Sequence, residues 1–169
     1  RRMYEVMSVW ETFGSPPTDE PQVIQDYARI WRAADKIVYS TTLDRATTPR
    51  TRVERQFDPE SVQQLKDTSE GNIGIGGATL AAHALTAGLV DECQVFVSPA
   101  VVGGGLRFFP DGLTLGLELL EEKRFGNGVV YLRYRARGTA AEPARGCTAK
   151  TVNTRATSAV TTSRRSPIE

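Results

Sequence analysis

The segment Ile73-Gly74-Ile75-Gly76-Gly77-Ala78-Thr79-Leu80 is where this sequence most plainly offers chemistry. An apolar run ends in two glycines and a helix-forming stretch follows. Glycine lets backbone approach a ligand closely, and a helix N-terminus presents unpaired N–H groups at the positive end of its dipole. A pyrophosphate suits that arrangement; the alternative is a tight strand-to-helix turn with nothing bound. It is not the fingerprint of a Rossmann dinucleotide site. The third glycine would fall at Thr79, and the turn follows a late strand rather than the first.

Three further groups have the composition of anion sites. Arg1 and Arg2, with Met3, open a short helix, and two guanidinium groups there suit a phosphate; the plain reading is a pair of solvated arginines. Ser40-Thr41-Thr42 closes a strand at its carboxyl end, the edge where parallel sheets bind ligands; the plain reading is a turn or cap. Gly103-Gly104-Gly105 follows Ser98-Pro99-Ala100-Val101-Val102, and reads equally as a loop closing over a ligand or as a flexible connection.

The absences are as informative. His83 is the single histidine and falls inside a predicted helix, so a Ser–His–Asp triad or a histidine-rich metal site is not expected. Cys93 and Cys147 are too few for a disulfide framework and read as free thiols. Glu118, Glu121 and Glu122 read as a solvated face, with Glu121 and Glu122 on opposite sides of a strand. A reaction whose hard step belongs to a bound cofactor, such as hydride transfer, fits this inventory.

The elements that must position these residues follow from periodicity. Met3–Trp10 is predicted as a short helix, broken by Gly14-Ser15-Pro16-Pro17. Asp19 and Pro21 open a second helix with Val23, Ile24, Tyr27, Ile30, Trp31 and Ala34 on its apolar face. Ile37–Ser40 reads as a buried parallel strand and Thr51–Arg55 as an edge strand. Asp58-Pro59-Glu60 is a helix start, with Val62 and Leu65 toward the core. A strand over Asn72–Gly76, a helix over Gly77–Leu89 and a strand over Gln94–Ser98 come next. Leu113, Leu115, Leu117 and Leu119 alternate as in an antiparallel strand, and Gly126-Asn127-Gly128 turns the chain into Val129–Arg135. The expected fold class is α/β: a mostly parallel sheet flanked by helices on both faces and ending in an antiparallel hairpin.

At 169 residues with 40% hydrophobic and 24% charged residues, one packed domain is expected. The net charge of +1 implies no nucleic-acid or membrane partner. It hides a basic stretch over 137–169, where Arg137, Arg145, Lys150, Arg155, Arg164 and Arg165 face only Glu142 and Glu169, beside a mildly acidic body. That stretch lacks periodicity and aromatic residues, so residues 137–169 are expected to be a disordered basic tail. No apolar run is long enough to span a membrane, and no signal-peptide pattern opens the chain, so the cytoplasm is the expected location.

These segments, in order and spacing, resemble the dihydrofolate-reductase-like superfamily over roughly residues 1–136. The branch is that of the reductase domain of the bifunctional riboflavin-biosynthesis deaminase/reductase and of stand-alone dihydrofolate reductase family proteins. The resemblance is carried by Arg1–Met7, Ala34–Leu43, Ile75–Leu80 with Gly88–Glu92, Ser98–Gly105 and Asn127–Tyr134. It implies NADPH as cofactor. Arg1, Arg2 and Met3 would lie by its phosphates, Ser40 and Thr41 by the adenosine ribose and 2′-phosphate, and Gly76, Gly77, Ala78, Thr79 and Leu80 by the pyrophosphate.

The family's opening strand and substrate loop have no counterpart here. The chain therefore reads as an N-terminally truncated, partial domain over 1–136, and no catalytic acid is named. The expected activity is NADPH-dependent reduction of a small heterocyclic molecule. A pyrimidine–ribosylamine phosphate of riboflavin synthesis, 5-amino-6-(5-phosphoribosylamino)uracil, is the first candidate and a pterin or folate the second. The alternatives are a non-catalytic nucleotide-binding protein and an inactive gene fragment. The resemblance also implies a homodimer.

Overall fold

The computed structural model describes residues 1–14 and 18–138; the expected tail lies outside these but for Arg137 and Gly138. The chain divides into two compact units, Arg1–Ile75 and a second that begins at Gly76.

In the first unit, α1 (Arg2–Met7) runs into a 3₁₀ turn over Ser8–Glu11, in place of one continuous helix to Trp10. Next come α2 (Gln22–Ala33), β1 (Lys36–Tyr39), β2 (Thr51–Glu54) and α3 (Pro59–Thr68). Trp10 meets the Tyr27 ring edge-on at 4.6 Å. Gly14 has φ +68, and a Cβ there would stand 3.4 Å from both Ala28 Cβ and Ile24 Cγ2, so glycine lets the chain pass close over α2. Ala28 is fully buried, whereas Val23 is 71% exposed and Ile30 lies at the surface. The inward stripe is thus buried Ala28 with half-buried Ile24, Tyr27 and Trp31, an i, i+3, i+4, i+7 set rotated from the expected one. Asp58 caps α3 as its sequence position foretold: its carboxylate accepts the N–H groups of Glu60 and Ser61. Val62 and Leu65 are half-buried.

β1 and β2 pair in parallel, from Lys36 opposite Thr51 to Tyr39 opposite Glu54. The expected strand over Asn72–Gly76 does not form a ladder. Glycine alternates with isoleucine there, which weakens a strand and leaves few side chains to pack; Ile73 is 43% exposed.

The second unit holds α4 (Ala78–Thr86), β3 (Glu92–Val97), β4 (Gly116–Arg124) and β5 (Val130–Arg137). Its sheet is three-stranded and antiparallel, in the order β3-β5-β4. Among the described residues, the only parallel pairing is therefore β1 with β2, which corrects the expected mostly parallel sheet. The closing hairpin is as expected: Gly128 takes φ +84, and Phe125 N–H donates to Val129 O at 2.8 Å across the turn. β4 begins only at Gly116, so Leu113 and Leu115 precede the strand and the pattern extends instead to Arg124.

The register of the sheet sorts its faces. Cys93, Val95 and Val97 of β3 lie opposite Tyr134, Leu132 and Val130 of β5 on the apolar side. The other side carries Arg133, paired with Glu92 and Glu121, and Arg135 and Arg137, both paired with Glu118. A bulge at Leu120 brings Glu118 and Glu121 to one face, while Glu122 falls opposite Leu132. Among the described residues of this unit, Ala84, Leu85 and Cys93 are the buried apolar ones.

Candidate functional site

Two clusters emerge, one in each unit. In the first, the β1–β2 ladder ends at Tyr39 opposite Glu54, and both parallel strands deliver their chains to the same edge. Ser40 N–H donates to Glu54 O at 2.9 Å, continuing the ladder by one bond. The Ser40 hydroxyl is buried and its oxygen accepts the N–H groups of Thr42 (3.3 Å) and Leu43 (3.1 Å), closing a tight turn. Thr41, next to it, is exposed.

Arg1 reaches this turn. Its Nη1 donates to Thr42 Oγ1 at 3.0 Å while its Nε pairs with Glu5 at 2.7 Å. Of the arginine and hydroxyl groups singled out in the sequence, Arg1 and Thr42 therefore meet, through the Arg1 side chain. Arg2 is exposed and Met3 half-buried.

Sequence reasoning missed two residues of this cluster. Arg55 donates from Nη1 to Ser40 O (3.1 Å) and Leu43 O (2.8 Å), and from Nη2 to Asp44 O (3.4 Å). Tyr4, buried in α1, accepts the N–H groups of Thr47 (2.8 Å) and Thr48 (3.1 Å) at its hydroxyl. A polar-tipped aromatic on an apolar helix face was the one available hint of the second.

In the second unit, Gly77 is the N-cap of α4, with φ 93 and ψ 121. Only glycine takes that backbone shape readily. No side chain caps α4, in contrast to α3, and Ala81 N–H is the donor that reaches Gly77 O, at 2.9 Å. The first-turn N–H groups of Ala78, Thr79 and Leu80 thus have no intrahelical acceptor. Ala78 and Thr79 of this turn line a groove of about 370 Å³, together with Ala82, Gly105, Arg107 and Asp111. Gly103 and Gly105 both have positive φ, 68 and 138, and Gly105 lines the groove. Arg107 and Asp111 form an ion pair. Gly76 and Gly77 are half-buried and Thr79 is exposed. The sequence marked both glycine loops but not Arg107, two residues beyond the second.

His83 is exposed on α4. Cys93 is a free, buried thiol, and burial pushes its pKa up, which makes it inert rather than nucleophilic. Among the described residues, no group of three or more His, Cys, Asp or Glu side chains could hold a metal ion, and no helix is long and apolar enough to cross a membrane.

The family model of the RibD C-terminal domain matches residues 17–131, a span that holds both glycine loops, the Ser40–Thr42 turn, Arg55 and Arg107. The chain belongs to the RibD C-terminal domain family. That family is the branch of the dihydrofolate-reductase-like superfamily named by the sequence resemblance, so the resemblance holds. Arg1–Met7 lies before the matched span. The chain is 26% identical over 125 residues to the uncharacterized protein YyaP of Bacillus subtilis (strain 168), covering 73% of this chain. It spans 66% of that relative's length. A solved structure from Shewanella sp. PV-4, of a protein provisionally assigned to riboflavin biosynthesis, superposes with a TM-score of 0.54 at 13% identity. That similarity covers 76% of this chain and 87% of the other, and shows a shared mixed α/β fold.

Proposed function

We propose that this chain carries the NADPH-binding part of a reductase acting on a small heterocyclic substrate. The observation that supports it best is the uncapped first turn of α4, which follows Gly77 at φ 93 and opens on a groove that also holds Arg107. The first-turn N–H groups of Ala78 and Thr79, a threonine hydroxyl and a guanidinium suit the two negative charges of a pyrophosphate. In its own unit, the Ser40–Thr42 turn with Arg1 suits the ribose 2′-phosphate.

Bound NADPH would supply a hydride to a C=N or C=O carbon of the substrate. The chain's own residues would bind and orient: Gly77 by allowing close backbone approach, Thr79 and Arg107 by holding phosphate oxygens and, within the first unit taken by itself, Ser40 by shaping a turn suited to a ribose phosphate. A pyrimidine–ribosylamine phosphate is the first substrate candidate, in keeping with the family, and a pterin or folate the second. The same reading includes a cytoplasmic homodimer, for which light scattering on the purified protein is the measurement.

Saturating NADPH should raise the melting temperature of the intact protein by about 5–10 °C, as expected for ligand near a hundredfold above its dissociation constant. Gly77→Asp should abolish the shift by placing charge and bulk against the pyrophosphate. Absence of any shift in the unsubstituted protein would end this reading.

A second reading is a non-catalytic nucleotide binder. It is favoured by one observation: Asp111, the carboxylate lining the groove, is already engaged by Arg107. Binding without NADPH oxidation in the presence of the candidate substrates would select it.

A further inference from the structure

We propose that Arg55 sets the preference for a 2′-phosphorylated cofactor without touching it, by holding the 40–44 turn in shape. The inference rests on the reading that this turn receives the ribose 2′-phosphate. Three carbonyls of one turn, Ser40, Leu43 and Asp44, converge on a single guanidinium at 3.1, 2.8 and 3.4 Å. The fold puts it there: in the parallel ladder Tyr39 lies opposite Glu54, so Ser40 and Arg55 leave the sheet side by side. On the same turn, the Ser40 oxygen gathers the N–H groups of Thr42 and Leu43.

The electrostatic consequence is specific. Carbonyl oxygens are the negative ends of peptide dipoles, and a phosphate dianion beside three of them would be repelled. Arg55 removes that repulsion by drawing all three onto a permanent positive charge, and its planar fork of five donors suits several acceptors at once. A lysine ammonium keeps the charge but lacks the fork. Arg55 is therefore a positioning residue whose effect falls on the extra phosphate, not on the parts that NADPH and NADH share.

A merely structural role would weaken all ligands together; a preference-setting role changes a ratio. The test measures binding of adenosine 2′,5′-bisphosphate and of AMP to the intact protein by calorimetry, for the unsubstituted chain, R55A and R55K. Amide hydrogen exchange is followed at Thr42 and Leu43. The expected result is about tenfold weaker binding of the bisphosphate to R55A, equivalent to about 1.4 kcal/mol. AMP should stay within about twofold on the same scale, with R55K intermediate and faster exchange at both amides. An unchanged bisphosphate-to-AMP ratio in R55A, with the unsubstituted protein discriminating, overturns the role of Arg55 alone. No discrimination by the unsubstituted protein overturns the phosphate reading of the turn, and this proposal with it. Should R55A not fold, R55K carries the same comparison.

Discussion

Arg1 and Thr42, 41 positions apart, are joined by a guanidinium-to-hydroxyl hydrogen bond of 3.0 Å. The bond ties the start of α1 to the turn that leaves β1. A few residues on, the Tyr4 hydroxyl makes a second tie, accepting Thr47 N–H at 2.8 Å and Thr48 N–H at 3.1 Å. The loop between β1 and β2 thus hangs from α1 at two points, and Arg55 fastens its near end a third time.

Tyr4→Phe removes the acceptor for two backbone donors while leaving the ring in place. Unsatisfied part-buried N–H groups cost about 1–3 kcal/mol, so a lower melting temperature and faster amide exchange at Thr47 and Thr48 are expected. Unchanged exchange at those amides would show that the hydroxyl bonds carry no weight.

Arg107→Ala should weaken NADPH and NADH alike, each by about tenfold, the value of one charge-assisted hydrogen bond. The pyrophosphate is common to both cofactors. Asp111→Asn should tighten both, because it removes the carboxylate that holds Arg107. Nicotinamide fluorescence titrations report both variants. Selective loss of NADPH in Arg107→Ala would place this guanidinium at the 2′-phosphate instead.

Lys36 is nearly enclosed. Its Nζ donates to Trp31 O (3.0 Å) and Ala34 O (3.1 Å) and stands 3.6 Å from Glu11 Oε1. The side chains of Lys36 and Glu11 are 9% and 18% exposed. Lys36→Met strands the Glu11 carboxylate and should cost about 3 kcal/mol in urea unfolding. Replacing both residues, as Lys36→Met with Glu11→Leu, should return most of that loss. A double variant as unstable as the single one would refute the pairing.

Asp58 gives the first unit an acid-sensitive contact. The Ser61 hydroxyl, then the N–H groups of Ser61 and Glu60, hold its carboxyl below the ordinary value. A carboxyl lowered in the folded state stabilises fully above its unfolded value of about 4 and loses that contribution as pH falls through the folded one. Asp58→Ala should melt lower than the unsubstituted protein at neutral pH, with the gap closing in acid. A gap independent of pH would mean the cap works without its charge.

Local signals transferred well to the structure where they were self-contained. Asp58-Pro59-Glu60 states a helix start in three residues, and Gly126-Asn127-Gly128 states a turn. Both appear where expected. Pairing was less legible, because it depends on what stands beside a strand. Asn72–Gly76 has the isoleucines of a buried strand yet forms no ladder, and its alternating glycines were the one local sign of that. The α2 face illustrates a subtler limit: Val23 and Ile30 suit the helical period, but the close pass of Gly14 selects the stripe through Ala28. Of the site, the glycine turns and hydroxyls were visible by type. Arg55, Arg107 and Tyr4 were not, since each acts on backbone or a partner distant in sequence.

The bulge in β4 gives that strand one place where its length is negotiable. Leu119 faces Tyr134 and Glu121 faces Arg133, so Leu120 is the surplus residue. A chain lacking Leu120 would keep every other side chain of β4 on its present side, because the alternation on either flank already agrees. Loss of Glu122 instead, with the ladder re-forming without the bulge, would set Glu121 opposite Leu132 and turn it from Arg133. Among descendants of this sequence, single-residue losses in the hairpin should therefore gather at that position and spare its neighbours.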